Sequence, residues 1–202
     1  MLKRTVTETV GGVSTTFDNR DEWYFALWLD NLCREFAHHP SYALSWGYKI
    51  NTFNLFEKVD IVHKEQGKRK VIEKTQCLLQ DATYTPDFSF YMIRPALKGF
   101  VDLAKETLIK NALFVRCGGS FYIDVKPSFT RNKAESARFS LVQKALWDKH
   151  GEYVNKIVPA KLFEKTFTPE RYLFTDTGKQ SRKIGWKIKT CAGWLKEATN
   201  AV

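Results

Sequence analysis

The sequence predicts an α/β fold in which two helices cover a mixed sheet. Apolar residues recur at helical spacing near the start of the chain, over about residues 21–37, and again over about residues 133–150. The stretch between these helices holds several short segments rich in aromatic and β-branched residues, and one more follows the second helix. A helix, several strands, a helix and a further strand, in this order, predict an α/β sandwich around a mixed sheet.

The first helix is predicted from Asp21 to Ala37. Asn19 is a suitable N-cap, and Glu22 stands three residues after it, which is the spacing of a capping box. His38-His39-Pro40 ends the helix, because a proline disfavours helical backbone in the residue before it. Residues 1–16, rich in Thr, Gly and Val, predict a loose arm or an edge strand. The helix carries an apolar stripe of Tyr24, Leu27, Trp28, Leu32 and Phe36.

Strand-like segments fill the middle of the chain. Lys64 to Lys70, centred on Gly67, predicts a charged hairpin tip, and Cys117 to Ser120 predicts a turn. An amphipathic helix is predicted inside the stretch 94–116, where the apolar residues at helical spacing are Leu97, Val101, Ala104 and Leu108. The strands are predicted at Tyr48–Val62 with a turn near Asn51–Asn54, Val71–Leu79, Thr83–Ile93 and Phe121–Lys126.

The second helix is predicted from Lys133 to His150, closed by Gly151 in a C-cap position. Tyr153 to Pro159 predicts a strand. Thr168-Pro169 predicts the opening of a short helix or turn, with the threonine as cap and the proline at the first helical position. Basic and apolar residues alternate from Gly178 to Lys189, which predicts a strand with one cationic face. The residues expected to face the core from the second helix are Phe139, Val142, Ala145 and Leu146.

Charge is distributed unevenly along the 202 residues. The formal net charge is +10, and residues 127–202 hold 15 lysines and arginines against 7 acidic residues, whereas residues 1–126 hold 17 against 15. An apolar fraction of 44% is enough for a hydrophobic core. A basic excess of this size predicts a polyanionic partner. The alternative is a soluble basic surface with no specific partner.

The four cysteines are widely spaced, without a Cys-x-x-Cys pair or an accompanying histidine cluster. This pattern predicts buried thiols in a reducing compartment rather than a zinc site or a disulfide framework. The first residues lack the apolar core of a secretory signal, and no apolar run approaches membrane-spanning length. We therefore expect a soluble, cytoplasmic protein with no membrane partner.

The strand at 121–126 carries a carboxylate and an ammonium on one face. Because side chains alternate across a strand, Asp124 and Lys126 share one face, while Phe121, Ile123 and Val125 share the other and can enter a core. The pattern Asp/Glu-x-Lys occurs once in the chain, at this place. A carboxylate and an ammonium side by side suit a divalent metal and an activated water. The alternative is a salt bridge on an exposed strand face.

A second carboxylate stands upstream, where Pro86-Asp87 is the single Pro-Asp pair in the chain. Taken alone, Asp87 is typical of a turn. Taken together with Asp124 and Lys126, it predicts phosphodiester hydrolysis. Pro-Asp followed by Asp-x-Lys resembles the PD-(D/E)xK nuclease superfamily. The resemblance covers roughly residues 17–165 and is closest to phage-type and mobile-element nucleases, including junction-resolving and transposon end-cutting enzymes.

This resemblance implies a restriction-endonuclease-like αβββαβ core over residues 1–165, with residues 166–202 as a basic C-terminal extension. One departure is that 37 positions separate Asp87 from Asp124, so an insertion is expected at about 94–116. The resemblance also implies that Mg²⁺, or Mn²⁺ in its place, is held by Asp87, Asp124 and the carbonyl of Val125. Lys126 would orient or help to deprotonate the attacking water.

A glutamate of the first helix completes the site in many members of the resembled superfamily. Glu22 is the candidate here, as a catalytic residue and a metal ligand, although helix capping explains the same residue without catalysis. Glu35 is a weaker substitute on the same helix. Candidate DNA contacts lie on or before the second helix and in the basic stripe near the end: Arg131, Lys133, Arg138, Gln143, Lys144, Arg182, Lys183 and Lys187. The alternative for the helix residues is an ordinary solvated helix face. The alternative for the basic stripe is an edge strand whose lysines discourage pairing with another strand.

The resulting hypothesis is a Mg²⁺-dependent DNA endonuclease that acts on branched DNA, as a Holliday junction resolvase does. A homodimer is expected because two strands must be cut. If the protein is phage-encoded, it is expected to act in the host cytoplasm. One alternative is a transposon-end or restriction-like nuclease that needs a partner subunit, bound through the C-terminal extension. Another is a catalytically silent nucleic-acid-binding protein of the same fold.

Overall fold

A computed structural model describes residues 5–38, 44–68, 70–92, 120–126, 133–175 and 177–199. The helices in these ranges are α1 (Arg20–Ala37), α2 (Lys133–His150), α3 (Pro159–Lys165) and α4 (Cys191–Thr199), with a 3₁₀ turn at Glu170–Leu173. The strands are β1 (Val6–Val10), β2 (Val13–Phe17), β3 (Leu44–Tyr48), β4 (Phe53–Phe56), β5 (Val59–Gln66), β6 (Val71–Leu79), β7 (Ala82–Tyr84), β8 (Phe88–Met92), β9 (Ser120–Val125) and β10 (Val154–Ile157).

The central sheet has four strands in the order β10-β9-β8-β3. The β3–β8 and β8–β9 pairs are antiparallel, whereas β10 is parallel to β9. A parallel pair needs a crossover connection, and α2 lies in the segment that connects β9 to β10. The prediction of an α/β fold with a mixed sheet is confirmed.

One face of the sheet packs against α1 to form the main core. Phe121, Ile123 and Val125 are buried on this face of β9, as their alternation predicts. The helix begins one residue earlier than expected and ends where expected, because Asn19 caps it: the side chain of Asn19 accepts a hydrogen bond from the backbone N–H of Glu22. The helix residues that fill this core are Trp23, Tyr24, Phe25, Ala26, Trp28, Leu29, Leu32 and Phe36.

The other face of the sheet carries α2 and a second, smaller core. Phe139 and Leu146 from the helix meet Val154 of β10, and Val142 and Ala145 are partly buried beside them. The backbone N–H of Gly151 donates to the Trp147 carbonyl at 2.9 Å, and Gly151 has φ 64°. This left-handed conformation is the reason that a glycine closes α2, as predicted.

Residues 6–17 form a two-stranded hairpin of their own, in place of the loose arm or the edge strand that the sequence predicts. β1 and β2 are joined by Gly11 and Gly12, whose φ values of 59° and 81° are the positive values that a two-residue hairpin turn needs. Val10, next to the turn, and Phe17, at the open end of the hairpin, are buried in the main core. The hairpin is therefore anchored beside α1.

A long two-stranded extension leaves the body between β3 and β8. β4 pairs with β7, and β5 pairs with β6, both in antiparallel register. The hairpin tip predicted around Gly67 is confirmed, and β6 has the bounds expected for it. The single strand predicted at Thr83–Ile93 is wrong: β7 ends at Tyr84 and β8 starts at Phe88, because Pro86 has no N–H for a sheet ladder.

The C-terminal segment contains two further corrections. The strand predicted at Gly178–Lys189 is wrong, because its only strand-type pairing among the described residues is a single bridge between Phe174 and Ser181. Thr168 does not cap the following turn, since Pro169 holds that position and the Thr168 hydroxyl accepts a hydrogen bond from the Trp186 indole at 3.1 Å.

The segment after α3 is joined to the main core. Phe167 and Trp194, from the part expected to be a basic extension, are buried in the same cluster as α1. The predicted amphipathic helix inside 94–116 and most of the turn predicted at Cys117 to Ser120 lie outside the described residues. None of the helices within the described ranges is long and apolar enough to cross a membrane.

Candidate active site

The two predicted aspartates lie side by side at one edge of the central sheet. β8 and β9 are antiparallel, with Phe88 opposite Ile123, so the residue before β8 lies beside the end of β9. The carboxylate of Asp87 accepts a hydrogen bond from the backbone N–H of Val125 at 2.8 Å. Asp124, one residue earlier on β9, is 4% exposed. Strand pairing therefore fixes Asp87 next to Asp124.

Lys126 forms an ion pair with Asp124, and Lys126 Nζ lies 2.5 Å from Asp124 Oδ2. Its ammonium also lies 5.6 Å from the centre of the Phe139 ring on α2. Burial alone would lower the pKa of Lys126, but the hydrogen bond and charge of Asp124, with the charges of Asp87 and Glu135, outweigh it and raise the pKa. Lys126 is therefore held as an ammonium ion, which suits it to orient water and stabilise negative charge more than to accept a proton.

Negative charge is crowded around Asp87. Burial, then the charges of Asp124 and Glu22, raise the pKa of Asp87 to about 7, against the opposing effects of the Val125 N–H and of Lys126. Carboxylates brought this close disfavour one another's ionised form. A perturbed carboxyl beside a second carboxylate is a frequent property of functional sites.

Glu22 is 3% exposed at the start of α1 and makes three hydrogen bonds through its carboxylate. It accepts from the Tyr48 hydroxyl at 2.5 Å, from the Asn19 amide at 2.5 Å and from the Asp18 N–H at 3.0 Å. Burial raises the pKa of Glu22 although the Tyr48 hydrogen bond opposes it. Glu22 has a structural role beside the Asn19 cap, and its charge also reaches Asp87.

Glu35, the weaker substitute, lies at the other end of α1. Its charge contributes to raising the pKa of the Cys191 thiol on α4, after the larger effect of burial. Glu35 therefore faces the C-terminal helix, and Glu22 is the α1 glutamate that acts on Asp87.

Three residues near the aspartates have no counterpart among the sequence-based predictions. Tyr84 ends β7 with a buried hydroxyl, and burial and the Asp124 charge raise its pKa, although this hydroxyl makes no well-aligned hydrogen bond to any described residue. Tyr48 donates to Glu22. Lys49 follows Tyr48 with φ 52°, the only positive φ among the described non-glycine residues, and its N–H donates to the Asp87 carbonyl at 3.0 Å.

The α2 residues proposed for DNA contact occupy different environments. Arg138 and Lys144 are exposed, and because they are six positions apart they point about 120° away from each other around the helix. The side-chain amide of Gln143 donates to the Val154 carbonyl at 2.7 Å, which ties α2 to β10. Arg131 and the side chain of Lys133 lie outside the described residues.

Arg182 is held by aromatic rings in place of standing free on a cationic face. Its guanidinium lies 5.1 Å from the Tyr24 ring and 4.9 Å from the Tyr172 ring, and it donates to the Tyr24 hydroxyl and the Phe174 carbonyl. Lys183 and Lys187 are exposed. The two lysines are accessible to a polyanion, whereas Arg182 binds the C-terminal segment to α1 through Tyr24.

The donor atoms at the aspartate pair fit a hard divalent cation. Carboxylate and carbonyl oxygens are the ligands that Mg²⁺ prefers, and Asp87, Asp124 and the Val125 carbonyl supply them. A bound cation would also relieve the repulsion that raises the pKa of Asp87. Within the described ranges, no three His, Cys, Asp or Glu side chains are gathered as a ligand group, so Asp87 and Asp124 are a two-carboxylate set.

Comparison with known proteins gives no relative for this chain. No family model matches it, no curated protein matches it and no solved structure matches it. The chemistry of the site is therefore inferred from its own residues.

Proposed function

We propose that this protein is a metal-dependent endonuclease that hydrolyses phosphodiester bonds in DNA. One observation carries the proposal: the Val125 N–H holds Asp87 beside Asp124, and Lys126 is paired with Asp124. Two carboxylates and an ammonium at the edge of a sheet are the groups that such a hydrolysis needs. They resemble the PD-(D/E)xK site, and all three residues come from the two motifs that carry that resemblance.

The strand order supports a restriction-endonuclease-like core. α1 is followed by three strands (β3, β8 and β9), each antiparallel to the next, then by α2 and by β10, which is parallel to β9. This is the αβββαβ order expected from the resemblance. The extension formed by β4 to β7 is an addition to that order, inserted between β3 and β8.

In the proposed reaction, Asp87, Asp124 and the Val125 carbonyl would hold Mg²⁺, or Mn²⁺ in its place. Such a cation, when bound, would supply neutralisation of phosphate charge and a bound water of lowered pKa. Lys126, fixed as an ammonium ion by Asp124, orients the attacking water and stabilises the negative charge that develops on the phosphate. Glu22 adds negative charge next to Asp87, and Tyr48 and Asn19 hold its carboxylate in place.

DNA is the proposed substrate because the net charge is +10 and Lys183, Lys187, Arg138 and Lys144 are exposed cations. The preference for branched DNA and the homodimer are proposals that rest on the resemblance alone. A homodimer would place two active sites on one substrate, one for each strand.

The first test is a cleavage assay on four substrates: linear duplex, single strand, fork and four-way junction. Each is incubated with Mg²⁺, Mn²⁺ or EDTA, using the wild type, Asp124→Ala, Lys126→Ala and the control Asp81→Ala, whose side chain is exposed. We expect metal-dependent cutting by the wild type and the control, and a loss on the order of 10²-fold or more in each site variant, while both variants still bind DNA.

The outcomes separate the alternatives. Cutting of duplex or single strand but not of the junction would keep the chemistry and reject branched DNA. Wild-type rates in Asp124→Ala or Lys126→Ala would reject the site. If no substrate is cut by any form, a nuclease that needs a partner subunit, or a silent binder, becomes the better explanation.

A further inference from the structure

The β5–β6 hairpin, here called the ribbon (Val59–Leu79), stands away from the body of the molecule. Within the described residues its two strands pair only with each other, and nearly all of their side chains are exposed or half-exposed. A two-stranded hairpin alone is marginally stable in water, so an arm of this length is expected to gain a partner. Its exposed aliphatic residues are Val59, Ile61, Val62, Val71, Ile72, Leu78 and Leu79.

The positive charge of the ribbon is confined to its tip. The stem region is here strands β5 and β6 together with Lys58, which directly precedes β5. Each of its lysines has an acidic neighbour: Lys58 lies 2.8 Å from Asp60, Lys64 lies 3.5 Å from Glu73, and Lys74 pairs with Glu65. In the sequence, three consecutive cations, Lys68-Arg69-Lys70, stand between β5 and β6, and the structure describes Lys68 and Lys70 at the tip.

At the tip, Lys68 and Lys70 are exposed, and neither forms an ion pair with a residue that the structure describes. A stem without excess charge and a basic tip predict a partner whose negative charge meets the tip alone.

The ribbon is continuous with the candidate active site. Its root is the β4–β7 ladder, and β7 ends at Tyr84, three residues before Asp87. At about 3.3 Å per residue, the strands place the tip roughly 30–50 Å from Asp87. This separation corresponds to roughly one to one and a half turns of a DNA duplex, since a turn is about 34 Å.

We propose that the ribbon is a DNA-binding arm whose tip contacts backbone phosphates about one helical turn from the scissile bond. The inference rests on the proposed function, because the distance is measured from the proposed cleavage site. The two strands give the arm the reach to bring the tip lysines to the phosphates, while the stem, which has no excess positive charge, adds no phosphate contact. Contacts of this kind are independent of sequence and strongly dependent on salt.

The test compares two variants that remove the same net charge. The tip variant is Lys68→Gln/Arg69→Gln/Lys70→Gln, and the control, in the stem region, is Lys58→Gln/Lys64→Gln/Lys74→Gln. Binding to duplexes of 10 and 30 base pairs is measured by fluorescence anisotropy over a range of salt, in the presence of EDTA so that nothing is cut.

For the 30-base-pair duplex, we expect the tip variant to bind at least about 10-fold more weakly, with a salt slope smaller by about 2–3. The control should stay within about 3-fold of the wild type. The 10-base-pair duplex is about one helical turn, or about 34 Å, long and barely spans the distance from the site to the tip, so the two variants should differ on it by less than about 3-fold.

Equal binding by the tip variant and the control would overturn the inference. So would a change of oligomeric state in the tip variant, measured by light scattering, because the ribbon would then join two copies of the chain. A wild type that binds through the tip but cuts no substrate with Mg²⁺ would keep the arm and leave a nuclease that needs a partner subunit, or a silent binder, as the better explanation of the site. Cutting by the wild type together with equal binding of the two variants would reject the arm alone.

Discussion

The Asp87 carboxylate is held by a backbone N–H in a position where neighbouring carboxylates disfavour its ionised form. Its carboxylate accepts from the Val125 N–H, and Asp124 and Glu22 both raise its pKa after the larger effect of burial. Part of the folding free energy is therefore spent on keeping a charged group where the proposed metal needs it.

Asp87→Asn should stabilise the metal-free protein at alkaline pH. The folded pKa of about 7 lies above the ordinary value of 3.8, so the folded state binds a proton that the unfolded state has lost between these values. Stability from this group is complete below pH 3.8 and is lost as the pH rises to about 7. Asparagine keeps an acceptor for the Val125 N–H, so at pH 8 the gain should be on the order of 1–4 kcal/mol. Thermal unfolding in EDTA at pH 5 and pH 8 measures it.

The control for this measurement is Asp81→Asn, whose side chain is exposed six residues upstream. It should leave the pH dependence of unfolding unchanged. Added Mg²⁺ should raise the melting temperature of the wild type at pH 8 more than that of Asp87→Asn. A variant that melts below the wild type at pH 8 would show that the aspartate is not repelled in the folded state.

The part of the candidate site that lies on a single strand was predictable from the sequence. The period of two places Asp124 and Lys126 on one face without any tertiary information, and their ion pair follows. Tyr84 and Lys49 could not be found in this way, because the β4–β7 and β3–β8 pairings bring them to the aspartates. Arg182 was assigned to DNA from its alternating neighbours, yet its ring contacts involve Tyr24, 158 positions away in the chain.

At the scale of elements, local signals decided which predictions succeeded. α1 and α2 lie within one residue of their expected bounds because Asn19 and Gly151 end them by local hydrogen bonding. The stretch from Gly178 to Lys189 has strand-like alternation, but its own hydrogen bonds to Thr168 and Leu173 hold it in an irregular course. α4 was not predicted, and Gly193 within it is an unfavourable residue for a helix interior.

Gly12→Ala should destabilise the β1–β2 hairpin. Gly12 has φ 81° and open space where a Cβ would stand, so the whole cost is conformational, about 1–2 kcal/mol. Gly185→Ala is a matched control, because its added Cβ also meets open space and its φ is not in the left-handed range. The control should be neutral or stabilising by up to about 1 kcal/mol. Chemical denaturation of both variants measures the difference, and equal midpoints would contradict this explanation of the turn.

At the scale of the whole molecule, the segment after residue 165 completes the main core. Trp194 of α4 is 1% exposed and packs on Phe167, which stacks on Trp28 of α1. The Trp28 indole also donates to the Thr166 hydroxyl at 3.1 Å. Residues 166–199 therefore contribute packing to α1, whatever further role their lysines have.

Trp194→Ala should cost about 3–5 kcal/mol of folding stability, as expected for removal of a buried tryptophan. Trp147→Ala is the matched control: Trp147 is 50% exposed on α2, and its loss should cost under about 1 kcal/mol. Urea unfolding midpoints of the two variants give the comparison. If both variants unfold like the wild type, the C-terminal segment is a dispensable tail.

Because α4 covers α1, the main core cannot be completed until α4 has been synthesised. α4 leaves the ribosome more than 150 residues after α1, which at about 5–20 residues per second is a delay of roughly 8–30 s. Throughout that interval the aromatic face of α1 has no Trp194 to cover it, and Phe167 is added only 24 residues before α4 begins. We expect the nascent chain to be bound during this time by chaperones that recognise exposed apolar helices, and slower translation would lengthen the period in which it can aggregate.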